Sequence, residues 1–302
     1  MDDWIEVQIE TAAEAAELVA AALAPLTEGV ELRDAETVFP TSRDRGAVIA
    51  LCRPDEEAEL LAEVDWALAL ARAGGTPVDP VTIRRRTARE EEWRDVWKQF
   101  FRAARVGARF VVRPSWDQDM SGVEGRVAAG EVIDLDPGRA FGTGAHPSTR
   151  LVIAFAEQLA ARGKNVSTFL DLGCGSGILS IVGARLWPAA RGLAVDLDPE
   201  ATACAGENFE RNAITTVERR TGGLEAASGR WDLVMANIQA DVLLEMAGAL
   251  PQRVAPAGAL VLSGLLVGDA PGVAAAYQRA GLRLESRVDQ GEWAALLFTA
   301  AP

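Results

Sequence analysis

Asp171-Leu172-Gly173-Cys174-Gly175-Ser176-Gly177 is the segment whose residue types and spacing speak most directly of chemistry. It lies between an apolar run, Thr168 to Leu172, and a stretch of helical composition, Ile178 to Leu186. A glycine-rich turn from strand to helix lets the backbone approach a ligand closely, at the edge where open α/β sheets bind their ligands. Asp196 ends the next short strand, Gly192 to Val195, where a carboxylate can accept both hydrogen bonds of a ribose diol. The spacing is G-x-G-x-G, not the G-x-G-x-x-G of dinucleotide sites, although NAD would use the same acid on its ribose. Asp171, just ahead of the glycines, is placed to accept from a cationic amine. S-adenosylmethionine has such an amine and NAD lacks one, so the pattern favours S-adenosylmethionine. Asp198 reads as a helix N-cap before Pro199, and Cys174 as a small packing residue.

Methyl transfer from a sulfonium is an in-line displacement with a good leaving group already in place. The enzyme must therefore align the reactants and supply a neutral amine. Asn237, after the apolar run Asp232 to Ala236, suits that task. Its carboxamide oxygen and the Ile238 carbonyl can accept N–H bonds and aim an amine's lone pair without a general base. The plainer reading of Asn237 is a turn residue closing a strand. His146, the one histidine of the chain, sits among glycines and hydroxyls, either as a proton acceptor near neutral pH or as a loop anchor through a backbone hydrogen bond. Ser148 and Thr149 are expected to cap the helix that follows.

These residues need a sheet to position them. From Thr168 onward strands and helices alternate: Gly192 to Val195, the helix Pro199 to Asn212, then Asp232 to Ala236 and Ala259 to Ser263. That alternation is the mark of a mainly parallel sheet. Leu282 to Val288 and Glu292 to Thr299 are joined by a short turn, so the sheet must end in an antiparallel hairpin, as seven-strand methyltransferase sheets do. The first 80 residues predict a βαββαβ order: Trp4 to Ile9, a helix capped by Thr11 with Glu14 three positions on, Val30 to Leu32, Gly46 to Leu51, a helix over Asp55 to Ala73 stopping at Gly74-Gly75, and Val81 to Arg86. Between Arg89 and Arg102 the aromatic stripe Trp93, Trp97, Phe100 and Phe101 reads as a helix with a core-packing face. Pro114 and residues 117 to 125 read as a loop.

Composition narrows the classes. The chain of 302 residues is 49% hydrophobic and 25% charged, as soluble globular proteins are. No long uncharged apolar run indicates a membrane span, and the acidic start Met1-Asp2-Asp3-Trp4 does not read as a signal peptide. Cys52, Cys174 and Cys204 lack metal-ligand spacing and fit thiols in a reducing cytoplasm. A net charge of −14 argues against direct nucleic-acid binding. Residues 1–80 carry −13, residues 81–113 carry +6 and the rest −7. Either the acidic N-terminal part keeps the chain soluble or its field attracts a basic protein.

Asp136-Pro137-Gly138-Arg139-Ala140-Phe141-Gly142-Thr143-Gly144-Ala145-His146-Pro147-Ser148-Thr149 resembles the D-P-G-x-A-F-G-T-G-x-H-x-T-T signature of the PrmA family, enzymes that methylate protein eleven of the large ribosomal subunit. Further resemblance lies in residues 93–107, in Val234-Met235-Ala236-Asn237-Ile238, in Leu262-Ser263-Gly264-Leu265 and in Glu292-Trp293. It implies a class I methyltransferase fold, Rossmann-like with a seven-strand sheet, joined to a ferredoxin-like α+β domain that recognises the substrate. The expected layout is 1–86 for recognition, 87–104 for a linker helix and 105–302 for catalysis. By motif position, Phe141, Thr143 and Gly144 line the methionine end of S-adenosylmethionine and the reacting centre, Gly173 and Gly175 approach the cofactor, Asp196 holds its ribose, and Asn237 sits by the transferring methyl. The implied activity is methylation of lysine side chains and an N-terminal amine of a ribosomal protein in the cytoplasm. A related methyltransferase with another protein or a small-molecule acceptor is the alternative, and a nucleotide-binding oxidoreductase or binding module is a more distant one. Gln239 and Ala145 depart from the family's usual apolar residue and Thr.

Overall fold

The computed structural model describes residues 4–23, 27, 30–33, 45–88, 102–116, 119, 120, 123, 125, 127–136 and 146–301. The chain falls into two compact units that divide between Phe101 and Arg102. The aromatic stripe at Trp93, Trp97, Phe100 and Phe101, most of the 117–125 loop, and the motif positions Phe141, Thr143 and Gly144 lie outside the described residues.

In the first unit the βαββαβ order is present. Strand β1 spans Trp4–Ala12, helix α1 Ala13–Leu23, β2 Val30–Arg33, β3 Arg45–Cys52, α2 Glu57–Ala73 and β4 Thr82–Ala88. The strands form an antiparallel sheet in the order β2-β3-β1-β4. Alternation along β1 turns Val7 and Ile9 inward against Val19 and Leu23 of α1 and Leu60, Val64 and Leu68 of α2. Thr11 does not cap α1 as expected. It is still within β1, where the same alternation points it inward, and its hydroxyl donates to the Val78 carbonyl at 2.6 Å. Glu14 in the first turn of α1 still suits the positive end of that helix.

The second unit opens with a small sheet of β5 (Ala104–Arg105), β6 (Val111–Arg113) and β7 (Val132–Asp134). The remainder alternates: α3 (Pro147–Ala161), β8 (Thr168–Leu172), α4 (Ile178–Leu186), β9 (Arg191–Asp196), α5 (Pro199–Arg211), β10 (Val217–Thr221), β11 (Trp231–Asn237), α6 (Ala240–Glu245), β12 (Val254–Leu266), α7 (Ala270–Arg279), β13 (Arg283–Gln290) and β14 (Trp293–Thr299). Seven strands lie in the order β10-β9-β8-β11-β12-β14-β13, and β14 alone runs against its neighbours. Both the parallel majority and the terminal hairpin match expectation. Strand β10 does not appear in the sequence reading. Its residues Val217-Glu218-Arg219-Arg220-Thr221 form an exposed edge with no apolar alternation to announce it.

The chain runs outward from β8 to β10, then returns to place β11 against the other side of β8. That reversal opens a crevice at the C-terminal ends of β8 and β11, the place where open α/β sheets take ligands. The core beneath it is built from Leu170, Leu172, Val195, Val234, Ala236 and Leu262, all buried. Among the described residues, no helix is long and apolar enough to cross a membrane.

Helix α3 also ties down the small sheet. The Glu157 carboxylate is nearly buried and accepts the backbone N–H groups of Ala108 and Arg109 at 2.8 and 2.9 Å. An amide in its place offers one acceptor oxygen and sets an NH2 group against the second N–H. Glu157→Gln is therefore expected to lower the urea unfolding free energy by about 1–3 kcal/mol. An unchanged midpoint and slope would show that these two bonds do not hold the sheet.

Candidate active site

Strand β8 delivers Asp171 to the crevice, and the glycine turn follows. Gly173 adopts φ +71°, and a Cβ there would come within 2.5 Å of Ile238 Cγ2, so backbone passes where a side chain cannot. The Gly173 and Cys174 N–H groups both donate to the Val195 carbonyl, at 2.8 and 3.0 Å, which fastens the turn to β9. Asp196, the last residue of β9, accepts the Gly175 N–H on Oδ2 at 2.9 Å and the Asp198 N–H on Oδ1 at 3.1 Å. Each of its oxygens retains a second lone pair, enough for two ribose hydroxyls. Asp198 caps α5 by accepting the Glu200 N–H at 2.8 Å, as expected from sequence.

Asp171 is fully buried. Its Oδ2 accepts the Ser180 hydroxyl at 2.7 Å, while Oδ1 has no partner among the described residues. Burial lifts its carboxyl from an ordinary 3.8 to about 7; hydrogen bonds from Ser180 oppose the rise and the charge on Asp196 adds to it.

Asn237 ends β11. Met235 pairs with Asp171 across the two strands, so Asn237 stands two residues further toward the crevice. Its Nδ2 donates to Thr149 Oγ1 at 3.1 Å, and its Oδ1 is buried without a partner among the described residues. Thr149 thereby sets the carboxamide with its oxygen as the unused group. Behind Asn237, Gly264 adopts φ +80°, and a Cβ there would lie 2.6 Å from the Ile238 carbonyl oxygen. The Ile238 N–H donates to the Ser263 carbonyl at 3.1 Å. Gln239 is exposed at the head of α6.

His146 is the N-cap of α3. Its Nδ1 accepts the Ser148 N–H at 3.3 Å and lies 2.7 Å from the Ser148 hydroxyl. Its ring meets Trp293 edge-on with centroids 4.5 Å apart, and burial lowers its pKa. The expected caps, Ser148 and Thr149, lie instead inside the first turn of α3, because the imidazole nitrogen fills the role a side-chain oxygen usually has.

Asp171, Gly173, Gly175, Asp196 and Asn237 thus gather at the ends of three adjacent strands, and His146 joins them through α3 and Thr149. Sequence reading missed Thr149 and Ser180 as partners of Asn237 and Asp171. Thr149 lies 88 positions from Asn237, and its hydroxyl in a polar loop was the one signal it offered. Two oxygens unpaired among the described residues, a tight glycine turn and a half-used carboxylate fit a ligand with a cationic amine and a ribose.

Comparison with known proteins points the same way. Residues 3–301 match the family model described as ribosomal protein L11 methyltransferase (PrmA). The chain is 36% identical to a ribosomal protein L11 methyltransferase of Pelotomaculum thermopropionicum, over 97% of this chain and 98% of that one. It is 37% identical to the protein of the same name from Geobacter metallireducens, over 98% of each. A crystal structure of a ribosomal protein L11 methylase from Lactobacillus delbrueckii subsp. bulgaricus superposes with TM-score 0.59 at 27% identity, over 67% of this chain and all of that one.

The raised Asp171 carboxyl has a consequence for pH. The folded protein binds this proton more tightly than the unfolded chain does. The associated stability is complete below about pH 4 and is lost as pH rises through about 7. Calorimetric scans of ligand-free wild type and Asp171→Asn between pH 5 and 8 are expected to show the variant gaining Tm relative to wild type as pH rises. A Tm difference that stays flat across that window would remove the buried proton from the account.

Proposed function

The chain belongs to the ribosomal protein L11 methyltransferase family, and from that membership we propose that it transfers methyl groups from S-adenosylmethionine to lysine side chains, and to the N-terminal amine, of that large-subunit ribosomal protein. The observation that carries the reading is Asn237 Oδ1 at the lip of the glycine turn, without a partner among the described residues and so an acceptor held ready for an amine N–H.

Residue roles follow from the geometry. Asp196 accepts the ribose hydroxyls with the lone pairs left over from Gly175 and Asp198. Asp171 accepts the amino group with Oδ1, which has no partner among the described residues, and Gly173 and Gly175, both at positive φ, form the tight turn that brings backbone close to the ligand. When bound, S-adenosylmethionine supplies a methyl on a positively charged sulfur. Asn237 Oδ1 receives an N–H of the acceptor amine and so directs the nitrogen lone pair along the line of displacement. Thr149 keeps the carboxamide from turning over, and His146 fixes the first turn of α3 that carries Thr149. A lysine amine, ordinarily with a pKa of about 10.4, must arrive neutral, and loss of hydration in a closed crevice favours that form. Its proton leaves to water before attack, so no side chain has to act as general base.

By motif position Phe141, Thr143 and Gly144 line the methionine end of the cofactor. Residues 1–86 recognise the substrate, 87–104 link, and 105–302 catalyse. The −13 charge of residues 1–80 suits a basic ribosomal protein, drawn in by long-range attraction. The place of action is the cytoplasm, where ribosomal proteins are made.

Intact mass spectrometry of the ribosomal protein, after incubation with enzyme and S-adenosylmethionine, tests this directly. Stepwise gains of one methylene mass are expected. Asn237→Ala is expected to lower kcat by about 100-fold with little change in the KM for S-adenosylmethionine, since the lost contact serves the acceptor. Asp196→Ala is expected to raise that KM instead. An unmodified ribosomal protein, with cofactor binding shown in parallel, would rule out this acceptor.

A further inference from the structure

Helix α5 carries Asn208 and, at its C-terminal end, Asn212, one turn apart and facing the end of β7. Their carboxamides stand in for a neighbouring strand. Asn212 accepts the Asp134 N–H at 3.0 Å and donates to the Asp134 carbonyl at 2.7 Å. Asn208 repeats the pair on Asp136, at 3.0 and 3.1 Å. The match is geometric, because side chains four apart on a helix stand about 6 Å apart and strand groups two apart are spaced similarly.

Asn208, unlike Asn212, also reaches the glycine turn. Its Nδ2 also donates to the Ser176 carbonyl, inside the glycine turn, at 2.9 Å. The residue is fully buried. One carboxamide therefore joins α5, the cofactor turn and Asp136, the residue after which the chain runs into motif positions 137–145. Asp136 is held by its side chain as well: its carboxylate accepts the Ser115 N–H and hydroxyl at 2.9 and 2.6 Å and pairs with Arg211 Nε at 3.3 Å. Helix α5 presses on the turn a second time. A Cβ on Gly177 would lie 2.7 Å from the Phe209 ring and 3.0 Å from Ala205. Asn208, Phe209 and Ala205 thus form one face of α5 closing on residues 173–177.

We propose that Asn208 is a positioning residue for cofactor binding, fixing the Ser176 peptide against Asp136 and so setting where the glycine turn stands. The proposal rests on the S-adenosylmethionine reading above. Were Asn208 only a fastening of β7 to α5, it would behave as Asn212 does, and the two can be compared directly. Each alanine variant strands the N–H of one residue of the β7 segment; Asn212→Ala also removes a bond to the Asn208 carbonyl, the Asp136 carbonyl keeps the Cys204 thiol, and only Asn208→Ala removes the bond to the Ser176 carbonyl.

The test uses full-length wild type, Asn208→Ala and Asn212→Ala, with Tm by calorimetry and Kd for S-adenosylhomocysteine by titration calorimetry. Both variants are expected to lose Tm. Asn208→Ala is expected to weaken S-adenosylhomocysteine about tenfold while Asn212→Ala stays within about twofold of wild type, because displacement of a positioned group is felt at the site it supports. Should the alanine variant not fold, Asn208→Ser, which leaves a hydroxyl too short to span Ser176 and Asp136, is measured in its place and read the same way. Equal affinities in the Asn208 and Asn212 variants would overturn the proposal and leave Asn208 a fastening. A wild type that binds no S-adenosylhomocysteine would overturn the cofactor reading, and this inference with it.

Discussion

Two buried oxygen atoms without partners among the described residues, Asp171 Oδ1 and Asn237 Oδ1, stand at the ends of neighbouring strands. Folded proteins pair nearly all such groups, since a stranded acceptor away from water costs about 1–3 kcal/mol. The rest of the second unit is arranged so that this cost can be borne. Reversal of strand order between β8 and β11 brings the two ends side by side, and the buried aliphatic layer beneath them keeps the strands from shifting. Ser180 holds one oxygen of Asp171 and Thr149 holds the nitrogen of Asn237. What remains unpaired among the described residues is in each case a single oxygen, offered to whatever enters the crevice.

The charges divide along the same lines. Asp196 satisfies two backbone N–H groups and keeps its remaining lone pairs at the rim, whereas Asp171 sits deeper and holds its proton to about pH 7. On the proposed reading, a ligand amine that arrives as a cation takes over from that proton at the inner carboxyl. His146, its pKa lowered by burial and its Nδ1 engaged by Ser148, anchors the helix that presents Thr149. The site is therefore a set of aimed acceptors more than a set of acids and bases, as suits a displacement whose leaving group is already activated.

Much of this could be read from the residues alone, for identifiable reasons. Strand β8 and helix α4 fall at the expected bounds because both are mostly apolar and the glycine turn between them ends the one and opens the other. The terminal hairpin and the βαββαβ layout follow from short alternating segments with clear turns. Strand β10 escaped because an exposed edge of Glu and Arg has no apolar face to show. Thr11 misled because strand alternation outweighed its capping preference, and His146 because a ring nitrogen did what an oxygen normally does. Links that position the site, Thr149 to Asn237 and Asn208 to Asp136 and Ser176, join residues 88, 72 and 32 positions apart, and local pattern carries no trace of them.

The central claim is that Asp171 Oδ1 is a receptor for the amino group of the cofactor. Titration calorimetry of S-adenosylhomocysteine and of methylthioadenosine, which lacks the amino-acid end, measures that directly on wild type and Asp171→Asn. The account predicts a wild-type preference for S-adenosylhomocysteine that shrinks by about tenfold or more in the variant, as loss of one charge-assisted hydrogen bond requires. A preference of the same size in both proteins would contradict it.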